Sequence, residues 1–98
     1  MTLEIIYEAG LSLNTQDLVD RLFKDGYVVF SSTTSRQRQL CRDVLSQARQ
    51  HLTLSYGEGS EPNFVICIVD NDRFDLSEIV EAANFEDRRK HEQWISSI

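Results

Sequence analysis

The segment FVICIV, residues 64 to 69, is the most hydrophobic stretch of the chain and indicates the centre of its fold. A short, continuous apolar run of this kind is typical of a strand whose two faces are both covered. The segment TLSY, residues 53 to 56, alternates as an edge strand does, and a Gly- and Pro-containing loop, residues 57 to 63, joins the two. Together these segments predict an antiparallel hairpin whose second strand is central.

A helix flanked by two more strands is predicted upstream of the hairpin. The segments LEIIY, residues 3 to 7, and YVVF, residues 27 to 30, are rich in the β-branched and aromatic residues that strands favour. Between them, Asn14 suits the N-cap of a helix, and Gly26 suits the left-handed residue that follows its last turn. The apolar positions that fit one face of this helix are Leu18, Val19, Leu22 and Phe23.

Two further helices complete the predicted order of elements. Residues 36 to 51 carry a long apolar stripe at helical spacing, and Asp75 with Glu78 forms a capping-box-like start for a third helix. Residues 85 to 98 either continue that helix or form a semi-independent C-terminal one. The order β-α-β-α-β-β-α, with an optional last helix, predicts one α/β domain over residues 1 to 98.

This order predicts a sandwich built on a mixed four-stranded sheet. Because helices connect the first three strands, right-handed crossovers are expected to make the sheet mostly parallel. The hairpin is expected to add one antiparallel edge. An α+β arrangement is the alternative.

The composition is that of an ordinary intracellular domain. The chain has 98 residues, of which 41% are hydrophobic and 27% charged, and it is long enough for one core. Its first residues lack the basic and apolar pattern of a signal peptide, and its apolar runs fall well short of the roughly 20 residues that a membrane helix needs. We therefore expect a soluble cytoplasmic protein whose two cysteines, Cys41 and Cys67, are reduced and buried.

Charge is distributed unevenly along the chain. The formal net charge is −6, but residues 36 to 52 carry four arginines and one aspartate. Three of these arginines, Arg36, Arg38 and Arg42, crowd the start of a helix, where cations oppose the helix dipole. They either hold an anion at that helix terminus or pair with the protein's many carboxylates. The overall acidity argues against direct nucleic-acid binding, which needs a strongly basic face.

A group of carboxylates follows the predicted central strand. Asp70, Asp72 and Asp75 come soon after it, and Glu8 follows the first strand. Ligands bind beyond the carboxyl ends of strands in open α/β sheets, so Glu8 joins the aspartates if the two strands run parallel. Two aspartates at this spacing bind Mg²⁺ through their oxygens. The alternative is a turn and a helix cap, for which aspartate is equally suited.

Two short motifs, Glu8-Ala9-Gly10 and Asp70-Asn71-Asp72, loosely resemble those of the Toprim domain of primases, topoisomerases and related nucleases. The resemblance covers most of the chain in the order of elements but only these residues in identity. It implies a Mg²⁺-dependent phosphoryl-transfer or nuclease activity that uses Glu8, Asp70 and Asp72. The chain departs from the family at Ala9, where Toprim sequences usually have Gly, and in lacking a Gly soon after Asp72.

The main functional prediction is a non-enzymatic protein-binding module. We expect an inhibitor, an adaptor, or an immunity or counter-defence factor of the kind that phages and mobile elements carry, which docks on a larger protein with a basic surface. Exposed aromatic residues among polar ones are typical interface anchors. The residues predicted to contact the partner are Trp94, Ile95, Glu78, Glu81, Glu86 and Asp87. The alternatives are that Trp94 packs on the core and that the edge strand forms a homodimer.

Overall fold

Strands and helices alternate along the chain in the predicted order. The computed structural model describes residues 3–7, 14–31, 35–59 and 65–96. The elements are β1 (Ile5–Tyr7), α1 (Thr15–Asp25), β2 (Tyr27–Ser31), α2 (Ser35–Ala48), β3 (Leu54–Glu58), β4 (Ile66–Asp70) and α3 (Leu76–Ser96). The α/β fold is therefore confirmed, and residues 85 to 96 continue α3 rather than starting a new helix.

The four strands form one mixed sheet in the order β1-β2-β4-β3. In this sheet β1 pairs parallel with β2, whereas β4 pairs antiparallel with both β2 and β3. The expectation of a mostly parallel sheet is therefore wrong. The helices α1 and α2 do connect parallel strands, since β1, β2 and β3 all run in the same direction. However, β2 and β3 are not neighbours, because one strand position lies between them. The hairpin then returns β4 into that position, antiparallel to both neighbours.

Helices cover both faces of the sheet. Side chains of a strand alternate between its two faces, so each strand contributes to two separate cores. One core lies beneath α1 and α2 and includes Leu18, Leu22, Val28, Phe30, Val44, Ile66 and Ile68. The other lies beneath α3 and includes Leu3, Val29, Val65, Cys67, Val69, Ile79 and Ala83. All five residues of β4 are buried, which confirms that the hydrophobic segment forms the central strand.

The predicted ends of α1 are confirmed in atomic detail. The Asn14 side chain accepts a hydrogen bond from the Asp17 N–H, and the Asp17 carboxylate accepts one from the Asn14 N–H. Gly26 adopts a left-handed conformation with φ of 84°, and its N–H donates to the Leu22 carbonyl. Phe23 departs from the predicted apolar face, since its side chain is 40% exposed.

Both cysteines are buried and free, and they lie in different cores. Burial raises the pKa of each thiol to about 12. A thiol that stays protonated is neither a nucleophile nor a metal ligand, so these cysteines act as small apolar side chains. None of the helices in the described part of the chain combines the length and the apolar character that a membrane crossing requires.

Candidate functional site

The aspartates after β4 form a turn and a helix cap. The Asp70 carboxylate is buried, accepts a hydrogen bond from the Asp72 N–H at 3.0 Å, and lies 3.7 Å from Arg73 Nε. The Asp75 carboxylate accepts a hydrogen bond from the Ser77 N–H at 2.8 Å. These contacts use the aspartate oxygens to close the turn and to cap the start of α3.

The strand directions do not bring the end of β1 toward these aspartates. Because β1 is parallel to β2 and β2 is antiparallel to β4, β1 and β4 run in opposite directions. Tyr7 pairs with Ser31 at the end of the sheet where β4 begins, whereas Asp70 lies where β4 ends. Glu8 itself lies outside the described residues. The magnesium hypothesis was based on a parallel arrangement of β1 and β4, and the two strands are not parallel.

The outward side of α3 exposes an aromatic residue between charges. Phe85 is 63% exposed, more than the other large hydrophobic residues whose side chains the structure describes. Glu78 and Glu81 are also exposed and lie seven and four positions before it, so the three side chains share one side of the helix. We call Glu78, Glu81 and Phe85 the acidic face of α3.

Two other predicted contact residues of α3 are engaged within the protein. Asp87 is only 1% exposed and accepts a hydrogen bond from Ser31 Oγ at 2.5 Å, so its predicted contact with a partner is wrong. It lies inward because Ile79, Ala83 and Asp87 are spaced by four residues along the buried side of the helix. Glu86 is half-buried, and its Oε2 lies 3.4 Å from Arg89 Nη2 in an ion pair.

The side chains of Trp94 and Ile95 lie outside the described part of the structure. Both residues belong to the last turns of α3. Their contact with a partner therefore stays a prediction, and so does the alternative that Trp94 packs on the core.

A groove of about 490 Å³ runs between α2 and β3. Three arginines line it, two from α2 and one from the turn that follows α2, with Cys41 and Leu45 between them and Tyr56 and Glu58 opposite them. The arginines are Arg38, Arg42 and Arg49. All three are exposed, and no described carboxylate lies within ion-pair distance of any of them. Arg42 donates a hydrogen bond to Gln39 Oε1 at 3.3 Å. We call this the basic groove.

The basic groove revises the predicted arginine site. At about 100° per residue, Arg42 and Arg49 lie within about 40° of Arg38 around the helix, whereas Arg36 lies about 160° away. Arg36 accordingly does not line the groove, whereas Arg49, which was not among the predicted residues, does. The spacing 38, 42, 45 and 49 was the signal that could have identified this side of the helix.

Tyr56 borders the basic groove from the sheet side. Its hydroxyl donates to Glu58 Oε1 at 2.6 Å. Burial, together with this hydrogen bond, raises the pKa of Tyr56 well above its ordinary value, and the Arg38 charge lowers it only in part. The phenol therefore remains a donor at neutral pH and keeps Glu58 turned toward Tyr56.

Comparisons with known protein families, with curated proteins and with solved structures return no match for this chain.

Proposed function

We propose that this protein is a binding module that docks on a larger protein with a basic surface through the acidic face of α3. The observation that carries the proposal is the exposure of Phe85. Burying a phenylalanine side chain contributes about 1.5–3 kcal/mol, and most of this is unused in the isolated chain. A partner that covers Phe85 gains that free energy.

The charges around Phe85 specify what kind of surface fits it. Arg88 and Arg89 lie one turn after Phe85 on the same side of α3, so the acidic part of this surface lies before it. There, residues 70 to 81 contain five carboxylates and one arginine. Such a region attracts a positively charged surface and speeds its association, while an aromatic side chain provides the anchor that is buried in a pocket. The complementary partner therefore has an apolar pocket surrounded by lysine or arginine. The module acts by occupying that surface, as an inhibitor, adaptor or immunity-type factor does.

Affinity capture with matched variants tests the proposal. The tagged protein, Phe85→Ser and Phe23→Ser are each incubated with a lysate of the organism that encodes the chain. Phe23 is the matched control, because it is an exposed phenylalanine on α1, across the sheet from α3. We expect wild type and Phe23→Ser to retain the same protein, Phe85→Ser to lose it, and retention to fall as salt is raised.

The identity of the retained protein provides the second criterion. Its contact surface, mapped by protection from chemical modification, is expected to be rich in lysine and arginine. Equal retention by wild type and Phe85→Ser contradicts the proposal, and so does a contact surface that is acidic.

A further inference from the structure

The edge of β3 that faces away from β4 has no partner strand among the described residues. The Gly59 N–H donates to the Val65 carbonyl, and the Asn71 N–H donates to the Thr53 carbonyl. In an antiparallel pair, the backbone N–H and C=O groups of every second residue point toward the partner strand, and those of the residues between point away from it. These two bonds show that the groups of Thr53 and Gly59 point toward β4. The N–H and C=O groups of Leu54, Tyr56 and Glu58 therefore point away from β4. Within the described ranges, no strand lies beyond β3 to pair with them.

The side chains of the same three residues lie on the α2 side of the sheet. Leu54 packs against the core beneath α1 and α2, and Tyr56 and Glu58 line the basic groove. In an antiparallel pair, directly opposed residues project to the same face. A strand added at β3 would thus send every second side chain into the basic groove, where Arg38, Arg42 and Arg49 favour carboxylates.

The other face of the β3 edge is apolar. Gly57 faces α3, and a Cβ placed on it would lie 3.1–3.2 Å from the side chains of Leu76 and Val80. Both side chains are half-buried. The alternate side chains of an added strand would therefore meet an apolar surface next to α3.

From this arrangement we infer that the basic groove and the β3 edge together bind an extended acidic segment of a partner protein, which adds to the sheet as a fifth strand. Backbone hydrogen bonds to Leu54, Tyr56 and Glu58 hold the segment, and the arginines of the basic groove select its side chains. The segment that fits best alternates acidic and apolar residues. The basic groove lies on the opposite side of the sheet from the acidic face of α3, and the apolar part of the site uses Leu76 and Val80 rather than the residues of that face.

Charge also distinguishes this occupant from a second copy of the chain. Two β3 strands paired antiparallel about a twofold axis would place both basic grooves on the same face of the joined sheet, across the seam. The arginines of the two copies would then repel one another, and like charges opposed across strands are destabilising. An acidic segment meets no such repulsion.

The inference is tested with a synthetic heptapeptide of alternating glutamate and valine, acetylated and amidated at its ends. Nuclear magnetic resonance titration is expected to shift the amides of residues 54 to 58 in a saturable manner. Arg38→Gln and Arg42→Gln are each expected to weaken binding about two- to fivefold. Arg36→Gln, the same change on the same helix outside the groove, and Phe85→Ser are expected to leave binding unchanged.

Three further measurements separate strand addition from simple charge attraction, from nucleic-acid binding and from self-association. A peptide that is N-methylated at alternate backbone amides keeps its charge but cannot pair with β3, and it is expected to lose binding. Equal binding of the methylated peptide overturns the inference, as does equal weakening by Arg36→Gln and Arg42→Gln. Displacement of the peptide by a short oligodeoxynucleotide that binds at least as tightly, or a β3-mediated dimer in sedimentation, also overturns it.

Discussion

Gly26 lies where the end of α1 contacts the turn after β4. It ends α1 in the left-handed conformation, and its carbonyl accepts a hydrogen bond at 2.9 Å from the N–H of Asp70, the last residue of β4. A Cβ at this position would lie 2.7 Å from Arg73 Cδ and from the Phe74 ring. Glycine is therefore required both for the backbone conformation and for the close approach of that turn.

Replacement of Gly26 by alanine is expected to destabilise the protein by at least about 2 kcal/mol. A left-handed non-glycine residue costs about 1–2 kcal/mol, and moving Phe74 out of contact costs a further amount of similar size. Urea unfolding measures the change. Ser46→Ala, at an exposed site on α2, is the control and is expected to change the free energy of unfolding by less than about 0.5 kcal/mol. A loss for Gly26→Ala as small as the control would contradict the account of this turn.

The hydrogen bond between Ser31 and Asp87 joins β2 to α3. Both residues are buried, and hydrogen bonds to charged groups contribute about 1.5–3 kcal/mol. Ser31→Ala is therefore expected to lower the free energy of unfolding by about that amount, measured by urea unfolding at neutral pH. An unchanged midpoint would show that the Asp87 carboxylate does not depend on the serine hydroxyl.

At the level of single residues, helix caps could be predicted more reliably from the sequence than the exposure of side chains. Asn14 and Gly26 were identified correctly because a helix cap depends on a few neighbouring residues. Phe85 and Asp87 show the opposite case, since residue type alone places the phenylalanine inside and the carboxylate outside. The four-residue spacing from Ile79 assigns Asp87 to the buried side correctly, so helix geometry was the better guide than hydrophobicity.

The helix α3 has a buried side and an exposed side, on which the proposed docking residue Phe85 lies, and two substitutions distinguish them. Ile79 is fully buried against the sheet, so Ile79→Ala is expected to cost about 2–4 kcal/mol of stability. Phe85→Ser on the opposite side is expected to cost less than about 0.5 kcal/mol. Thermal or urea unfolding of the two variants measures the contrast. A cost of more than about 2 kcal/mol for Phe85→Ser would mean that Phe85 belongs to the fold rather than to an interface.

The elements themselves followed from periodicity, but their arrangement in the sheet did not. Apolar runs and helical stripes depend on local spacing, and all seven described elements were predicted. The position of β4 between β2 and β3 depends on how far from β2 the helix α2 places β3. That distance is set by non-local packing. For the same reason, the meeting of Arg38 with Tyr56 in one groove was not visible from the sequence.

At the scale of the whole molecule, opposite charges lie on opposite sides of the sheet. The basic groove lies beside α2, and the acidic face lies on α3. The sequence showed the two charge blocks, a positive one in residues 36 to 52 and a negative one in residues 53 to 98. It did not show that the sheet separates them, and the two proposed binding surfaces depend on that separation.

The buried thiols predict how stability depends on alkaline pH. Burial raises the pKa of Cys41 and of Cys67 from 9.0 to about 12, so the unfolded chain loses these protons first. The stability they contribute is complete below pH 9 and is lost between pH 9 and 12, at up to roughly 3 kcal/mol per pH unit for the two groups together. Urea unfolding at several pH values measures this slope.

The matched control for this slope is Cys67→Ala, which removes one of the two thiols and is expected to halve the thiol contribution. A free energy of unfolding that stays constant from about pH 9 to 11 would contradict the burial of neutral thiols in both cores.

Site-specific photocrosslinking tests the docking proposal most directly. A photoreactive phenylalanine analogue is placed at position 85 on α3 or at position 23 on α1, and the protein is irradiated inside the organism that encodes it. The proposal predicts one discrete adduct from position 85, formed with a protein whose crosslinked surface is basic, and no equivalent adduct from position 23. The absence of an adduct from position 85, or the same adduct from both positions, would contradict it.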